Sequence, residues 1–171
     1  MSRNNVIENN LSFLCVDISK EISSYGVEHK MNDYIGVQKA IIPILEKECF
    51  FREITNKETG MIIEITKKGI KETLGSGMRF QNLPRKLKEL KIATIRSLPR
   101  LIEKAHLLTD DVLNSHGNSP KYAYFVVCVN LNGTLLNVRI NVQKTSAKNK
   151  FWLHIVDIKE KNSQLLSPSK N

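Results

Sequence analysis

The sequence offers little from which to build a covalent or metal-centred site. It has three cysteines, Cys15, Cys49 and Cys128. They are too scattered for a metal pair or a redox motif, so reduced, buried thiols are expected. There is no HExxH, no paired CxxC and no tight Asp/Glu cluster, so neither a metal site nor a cofactor is expected. A GxSxG or Cys-His signature for acyl transfer is missing, as is GxGxxG. No apolar run approaches the eighteen or more residues of a membrane span. The polar start MSRNNVIENN lacks the charged-then-apolar order of a signal peptide. The expected location is therefore the cytoplasm, with no membrane partner.

Acids are scarce as well. Seventeen Asp and Glu stand against 26 Lys and Arg, a net charge of +9. The excess is local. Between Lys67 and Lys104 eleven basic residues face three acids, Glu72, Glu89 and Glu103. A basic surface of this kind concentrates polyanions and favours phosphate contacts. A solvated helix face, or a site for an acidic partner protein, would have the same composition.

What is present is an ordinary globular balance, 41% apolar and 25% charged over 171 residues, suited to one domain with an N-terminal extension. Residues 1–10 are polar. Leu11, Leu14, Ile18 and Ile22 fit a helical stripe ending at Gly26, and a second helix is expected over Val37–Glu48 with Pro43 as a defect. Residues 50–66 read as two short strands around a turn at Asn56–Gly60. Thr66 is placed to cap a short helix that ends at Gly75 or Gly77. Its flanking Lys67, Lys68 and Lys71 make its N-terminus a candidate anion site, although the ending of a phosphate loop is absent. Residues 84–108 are helical, with Leu87, Leu90, Ile95, Leu98, Leu101, Ile102 and Ala105 as the apolar stripe and a basic opposite face. Pro99 is expected to divide this stretch, with Ser97 capping the second half and His106 at its end. Residues 109–120, with His116, read as a loop.

Residues 121–159 carry the clearest pattern. Asn132-Gly133 lies between two alternating runs, a strong hairpin signal. Three strands in a meander are expected. Pairing Leu131 with Thr134 sets Tyr124 opposite Asn141, Phe125 opposite Ile140 and Val127 opposite Val138. A four-residue loop at 146–149 sets Trp152 opposite Gln143, His154 opposite Asn141 and Ile155 opposite Ile140. One face is then apolar, with Phe125, Val127, Val129, Val138, Ile140, Val142, Leu153 and Ile155. The other holds Tyr122, Tyr124, Arg139, Asn141, Gln143, Trp152 and His154, together with Val126, Cys128 and Val156. A slip of one residue would reverse this assignment. Helices followed by clustered strands indicate an α+β fold, with helices packed on an antiparallel sheet.

His154, Arg139, Tyr124, Asn141 and Trp152, with the lysines near residue 70, suit metal-independent cleavage of RNA. The substrate's own 2′-OH attacks, so no protein nucleophile is needed. The protein supplies a base, an acid and cations for the pentavalent phosphorus. An imidazole titrates near neutrality, a guanidinium can hold two phosphate oxygens, and Trp152 can stack on a base. The bland alternative is a half-buried, satisfied His154 on a covered face.

The stretches KKGIKETL, LKELKIATIRSLPRLIEKAHLL, YFVVCVNLNGTLLNVRINVQK and KFWLHIVDIK together resemble the large polyvalent protein-associated domain of type three. That family occurs in large phage and conjugative-element proteins and as toxin-like modules, and is similar to the Barnase–EndoU–colicin–RelE nuclease fold. The resemblance covers residues 50–165, leaving 1–49 as a helical extension and 166–171 as a tail. It implies a metal-independent ribonuclease, a toxin acting on RNA such as tRNA, with an immunity protein or antitoxin as partner. Lys68, Lys71, Arg139, His154 and Tyr124 fall on positions that such a site would use for catalysis. Lys67, Lys144, Asn141 and Trp152 would bind the RNA. The competing class is a non-catalytic nucleic-acid- or protein-binding module of a phage or conjugative element.

Overall fold

The computed structural model describes residues 15–22, 34–74, 82–113 and 121–160. Its strands are β1 (Val16–Asp17), β2 (Glu53–Thr55), β3 (Ile62–Glu64), β4 (His106–Leu113), β5 (Lys121–Leu131), β6 (Thr134–Lys144) and β7 (Lys150–Glu160). The helices are α1 (Ser19–Ile22), α2 (Tyr34–Glu48), α3 (Lys67–Leu74) and α4 (Arg85–Lys104). The strands form one seven-stranded sheet in the order β1-β5-β6-β7-β3-β2, with β4 also paired to β5. It is a mixed sheet rather than the antiparallel one expected, because β1 runs parallel to β5 and β3 parallel to β7. No helix among the described residues is long and apolar enough to cross a membrane. The N-terminal residues 1–10, Leu11, Leu14, Gly26, Gly75, Gly77, His116 and the tail lie outside the described residues.

Asn132 and Gly133 take φ of 49° and 89°, the left-handed pair that closes a two-residue hairpin without splaying its strands. The β5–β6 register follows as the sequence indicates: Leu131 with Thr134, Val127 with Val138, Phe125 with Ile140, Tyr124 with Asn141. The inward side chains of this pair, from Ala123 and Phe125 to Ile140 and Val142, are buried in one cluster. On the same cluster lie Ile41 and Leu45 of α2, Ile70 and Leu74 of α3, and Leu90, Ile95, Leu98, Leu101 and Ile102 of α4. The helices and the inward sheet face thus share a single core, α2 included. The opposite, outer face carries the candidate site.

Three expectations about local structure are corrected. First, α4 is one helix and runs through Pro99. The lost backbone bond costs about 3 kcal/mol, but Ile95, Leu98, Leu101 and Ile102 are fully buried on both sides of it, at about 1.5–3 kcal/mol each. Ser97 caps nothing; its hydroxyl donates to Ala93 O at 2.8 Å. Leu87, expected in the stripe, is exposed. Second, residues 106–113 are a strand, and His106 opens it opposite Val126. Register shifts at Leu107/Thr109 and Thr109/Val112 and a left-handed Asp111 at φ 54° break the alternation that would have marked it. Third, Val16–Asp17 pairs with β5 as a strand; helix is confined, among the described N-terminal residues, to Ser19–Ile22.

The β2–β3 hairpin is held from below by Asn56, which is fully buried. Its amide donates to Ile102 O at 2.8 Å and Ala105 O at 2.7 Å, satisfying carbonyls at the end of α4. Its Oδ1 accepts from the Thr59 amide and hydroxyl. Thr66 caps α3 as expected, its hydroxyl accepting from Gly69 N at 3.0 Å.

Two cysteine assignments are also corrected. Cys15 and Cys128 form a disulfide across 113 residues. The β1–β5 pairing brings residue 15 beside residue 128, and the bridge packs with Val126 and Leu108 as a small satellite cluster. Cys49 is free and buried, as expected.

Candidate active site on the outer sheet face

Alternation along β5 and β6 turns Tyr122, Tyr124, Asn137, Arg139, Asn141 and Gln143 to the outer face, where all are half-buried. The third strand joins them through a bulge. Trp152 pairs with Gln143 and Leu153 with Val142 as the four-residue loop predicts, but the register then shifts. Asn141 pairs with Ile155 rather than His154, and Ile140 with Val156 rather than Ile155. His154 is the inserted residue. Val156, expected on the outer face, is buried in the core in the place assigned to Ile155. His154 nevertheless faces outward: its ring lies 5.1 Å from that of Tyr122, inclined at 49°.

The bulge has an identifiable cause in α3. Thr66 Oγ1 donates to Leu153 O at 3.1 Å, and Val156 N donates to Thr73 Oγ1 at 3.0 Å. The two threonines therefore take backbone groups of β7 on either side of His154 and Ile155. Close approach depends on Gly69. A Cβ built there would sit 2.4 Å from Leu153 O and 2.9 Å from Leu153 C. Helix α3 thus sets the geometry that presents His154.

Arg139 has Val126 as its β5 neighbour and Asp157 as its β7 neighbour. It forms no hydrogen bond or ion pair among the described residues, so its guanidinium is available to an anion. Asp157 is exposed and was not anticipated, because the unbulged register sets Val156 at that place. Asn141 Oδ1 and Asn137 Oδ1 are buried acceptors without a hydrogen-bond partner, which normally costs about 1–3 kcal/mol each. An orphan acceptor between Tyr124, His154 and Arg139 is a feature that a donor on a bound ligand would satisfy.

The other predicted residues are dispersed. Lys67, Lys68 and Lys71 are on the exposed side of α3, whose buried side holds Gly69, Ile70, Thr73 and Leu74. Lys67 faces the helix layer, with Nζ 3.5 Å from Glu46 of α2. Lys68 and Lys71 make no hydrogen bond or ion pair among the described residues. Lys144 reaches Asp111 at 3.1 Å, and that contact, with the Lys121 and Lys144 charges, holds the Asp111 carboxyl below its usual range. Trp152 is exposed but borders a cleft of about 230 Å³ shared with Glu53, Glu64 and Lys150. Lys150 bonds Glu53 at 2.8 Å, which raises the lysine pKa. Glu53 and Glu64 make that end of the face less welcoming to phosphate, and the alternation of the short strands β2 and β3 was the only signal for them.

The basic face of α4 is largely spent within the molecule. Arg96 is bidentate to Glu48, Arg100 pairs with Glu21, and Arg85 with Glu89. Lys91 donates to Thr73 O at 2.8 Å, closing the end of α3, and Lys88 is buried. His106 Nδ1 lies 3.3 Å from Glu58.

Residues 33–153 match the family model of large polyvalent protein-associated domain 3. No curated protein and no solved structure matches the chain. The matched span includes α2, α3, α4 and the strands from β2 to the start of β7, and covers well over half of the sequence. The chain belongs to the large polyvalent protein-associated domain 3 family.

Proposed function

We propose that the outer sheet face cleaves RNA without a metal ion, by attack of the substrate's 2′-OH. The observation that carries this reading is the pairing of one outward imidazole, His154, with one guanidinium that has no protein anion bound among the described residues, Arg139, on neighbouring strands. In the reaction His154 takes the 2′-OH proton as O2′ bonds to phosphorus. The P–O5′ bond breaks, and the Tyr124 hydroxyl returns a proton to the leaving 5′-oxygen. Arg139 balances charge on the non-bridging oxygens. Asn141 Oδ1 accepts from the ribose or base. The products are a 2′,3′-cyclic phosphate and a 5′-hydroxyl.

The resemblance to the Barnase–EndoU–colicin–RelE fold supports a toxin of this kind, acting on tRNA and held in check by an immunity protein or antitoxin. The Cys15–Cys128 bridge suits a protein that meets an oxidising compartment, in keeping with delivery into a target cell. The test is incubation of purified protein with total tRNA in EDTA, read for cyclic phosphate ends.

One observation favours a second reading. Lys67, Lys68 and Lys71 make no hydrogen bond or ion pair to the outer face among the described residues, so none of these three is bonded into the group around His154 and Arg139. A binding module that holds RNA without cutting it would have such a layout, and binding without cleavage in the same assay would identify it.

A further inference from the structure

We propose that the corner where α2 turns into β2 is a separate docking site for single-stranded nucleic acid, with the Phe51 ring stacked on a base and Arg52 and Lys47 on the adjoining phosphates. Phe51 has two properties that do not pay for themselves in the fold. Its backbone is left-handed, φ 62°, a conformation unfavourable for an aromatic residue. Its side chain is 74% exposed, whereas the neighbouring Phe50 is buried. The backbone is held in place by Phe51 N donating to Ile65 O and Ile65 N donating to Arg52 O. The ring itself makes an edge-on contact with Phe50, centroids 6.4 Å apart, but the backbone bonds of the turn do not use it, and glycine would suit this backbone better.

At the same corner, lined by residues on either side of Phe51 in the chain, is a basic hollow of about 470 Å³, large enough for a phosphate group and part of a sugar. Lys47, Arg52, Arg96 and Arg100 line it, with Glu48 the single acid and Cys49 and Pro99 in the wall. Glu48 is engaged by both ends of Arg96, and Arg100 turns to Glu21 and Asp17 O. Lys47 and Arg52 have no carboxylate partner among the described residues, and Arg52 bonds only a backbone carbonyl, Glu48 O. Two cations without a carboxylate partner among the described residues thus share a corner with an exposed aromatic ring. That is the composition of a single-strand platform, in which stacking tolerates any base and the cations follow the backbone. The site is distinct from the outer sheet face, so it neither requires nor implies cleavage there.

A fluorescein-labelled oligothymidylate tests it, because a strand without 2′-OH groups can be bound but not cut by the reaction above. Phe51→Gly should weaken binding roughly ten-fold or more while its melting temperature stays equal or rises. Arg52→Gln should weaken binding and lower the slope of log K against log salt by about one. Polyphosphate, an anion without bases, should bind Phe51→Gly and wild type equally. Wild-type affinity for the oligonucleotide in Phe51→Gly, an equal loss for polyphosphate, or no binding by wild type would overturn the proposal.

Discussion

His154 on β7 reaches across β6 to pack its ring against Tyr122 on β5, the two centroids 5.1 Å apart. The contact exists because the inserted residue of the bulge still projects outward while Val156 turns in. The geometry is held from the helix side, by Thr66, Gly69 and Thr73.

Gly69→Ala tests that support. In an isolated helix the change would gain about 1 kcal/mol. Here the new Cβ meets Leu153 O at 2.4 Å, and the obstacle is backbone. Overpacking of this kind costs about 1–3 kcal/mol or more, so the clash wins. A lower midpoint in urea and altered ring shifts of Tyr122 and His154 in NMR spectra are expected. Unchanged stability and shifts would mean that α3 does not set the bulge.

Asn56→Ala removes both donors to the end of α4 and leaves Ile102 O and Ala105 O without them. The expected loss is about 2–4 kcal/mol, the cost of orphaning two buried acceptors, measured by chemical denaturation. Asn56→Asp should be worse, since it points a carboxylate at two carbonyls.

Thiol counts test the disulfide. Denatured, unreduced protein should titrate one thiol, Cys49, and reduced protein three. Closing so long a loop is worth up to about 5 kcal/mol in the chain-entropy account, so reduction should lower the melting temperature. Three thiols before reduction would remove the bridge.

Alkaline stability tests Cys49. Burial, with the Glu48 charge, pushes its thiol from 9.0 up to about 11. Between those values the unfolded thiol loses its proton while the native one keeps it. The native state then holds more protons, and stability falls as pH rises. Wild type should lose stability between pH 9 and 11 more steeply than Cys49→Ala. Parallel profiles would contradict the shift.

The β5–β6 hairpin was legible because Asn132-Gly133 and strict alternation fix its register locally. The β6–β7 register was legible as far as Leu153. Beyond it the sequence alternates as before, and the bulge is imposed by α3, which no pattern in residues 150–160 records. Strand β4 was missed because Asp110 and Asp111 read as loop, and β1 because two residues carry no period. The disulfide needed the β1–β5 pairing to bring Cys15 and Cys128 together. Of the candidate site, the alternation gave Arg139, Asn141 and Tyr124, whereas Asp157 entered only with the shifted register. The lysines of α3 are basic in sequence but face away from the core, and sequence cannot say which side of a sheet edge a helix presents.

The most direct measurement compares wild type, His154→Ala and Arg139→Ala on total tRNA in EDTA. Wild type should leave cyclic phosphate and 5′-hydroxyl ends, and each variant should be slower by about a hundredfold or more with its fold intact by circular dichroism. Equal cleavage by all three, or none by wild type on any RNA that it binds, would contradict an RNA-cleaving outer sheet face.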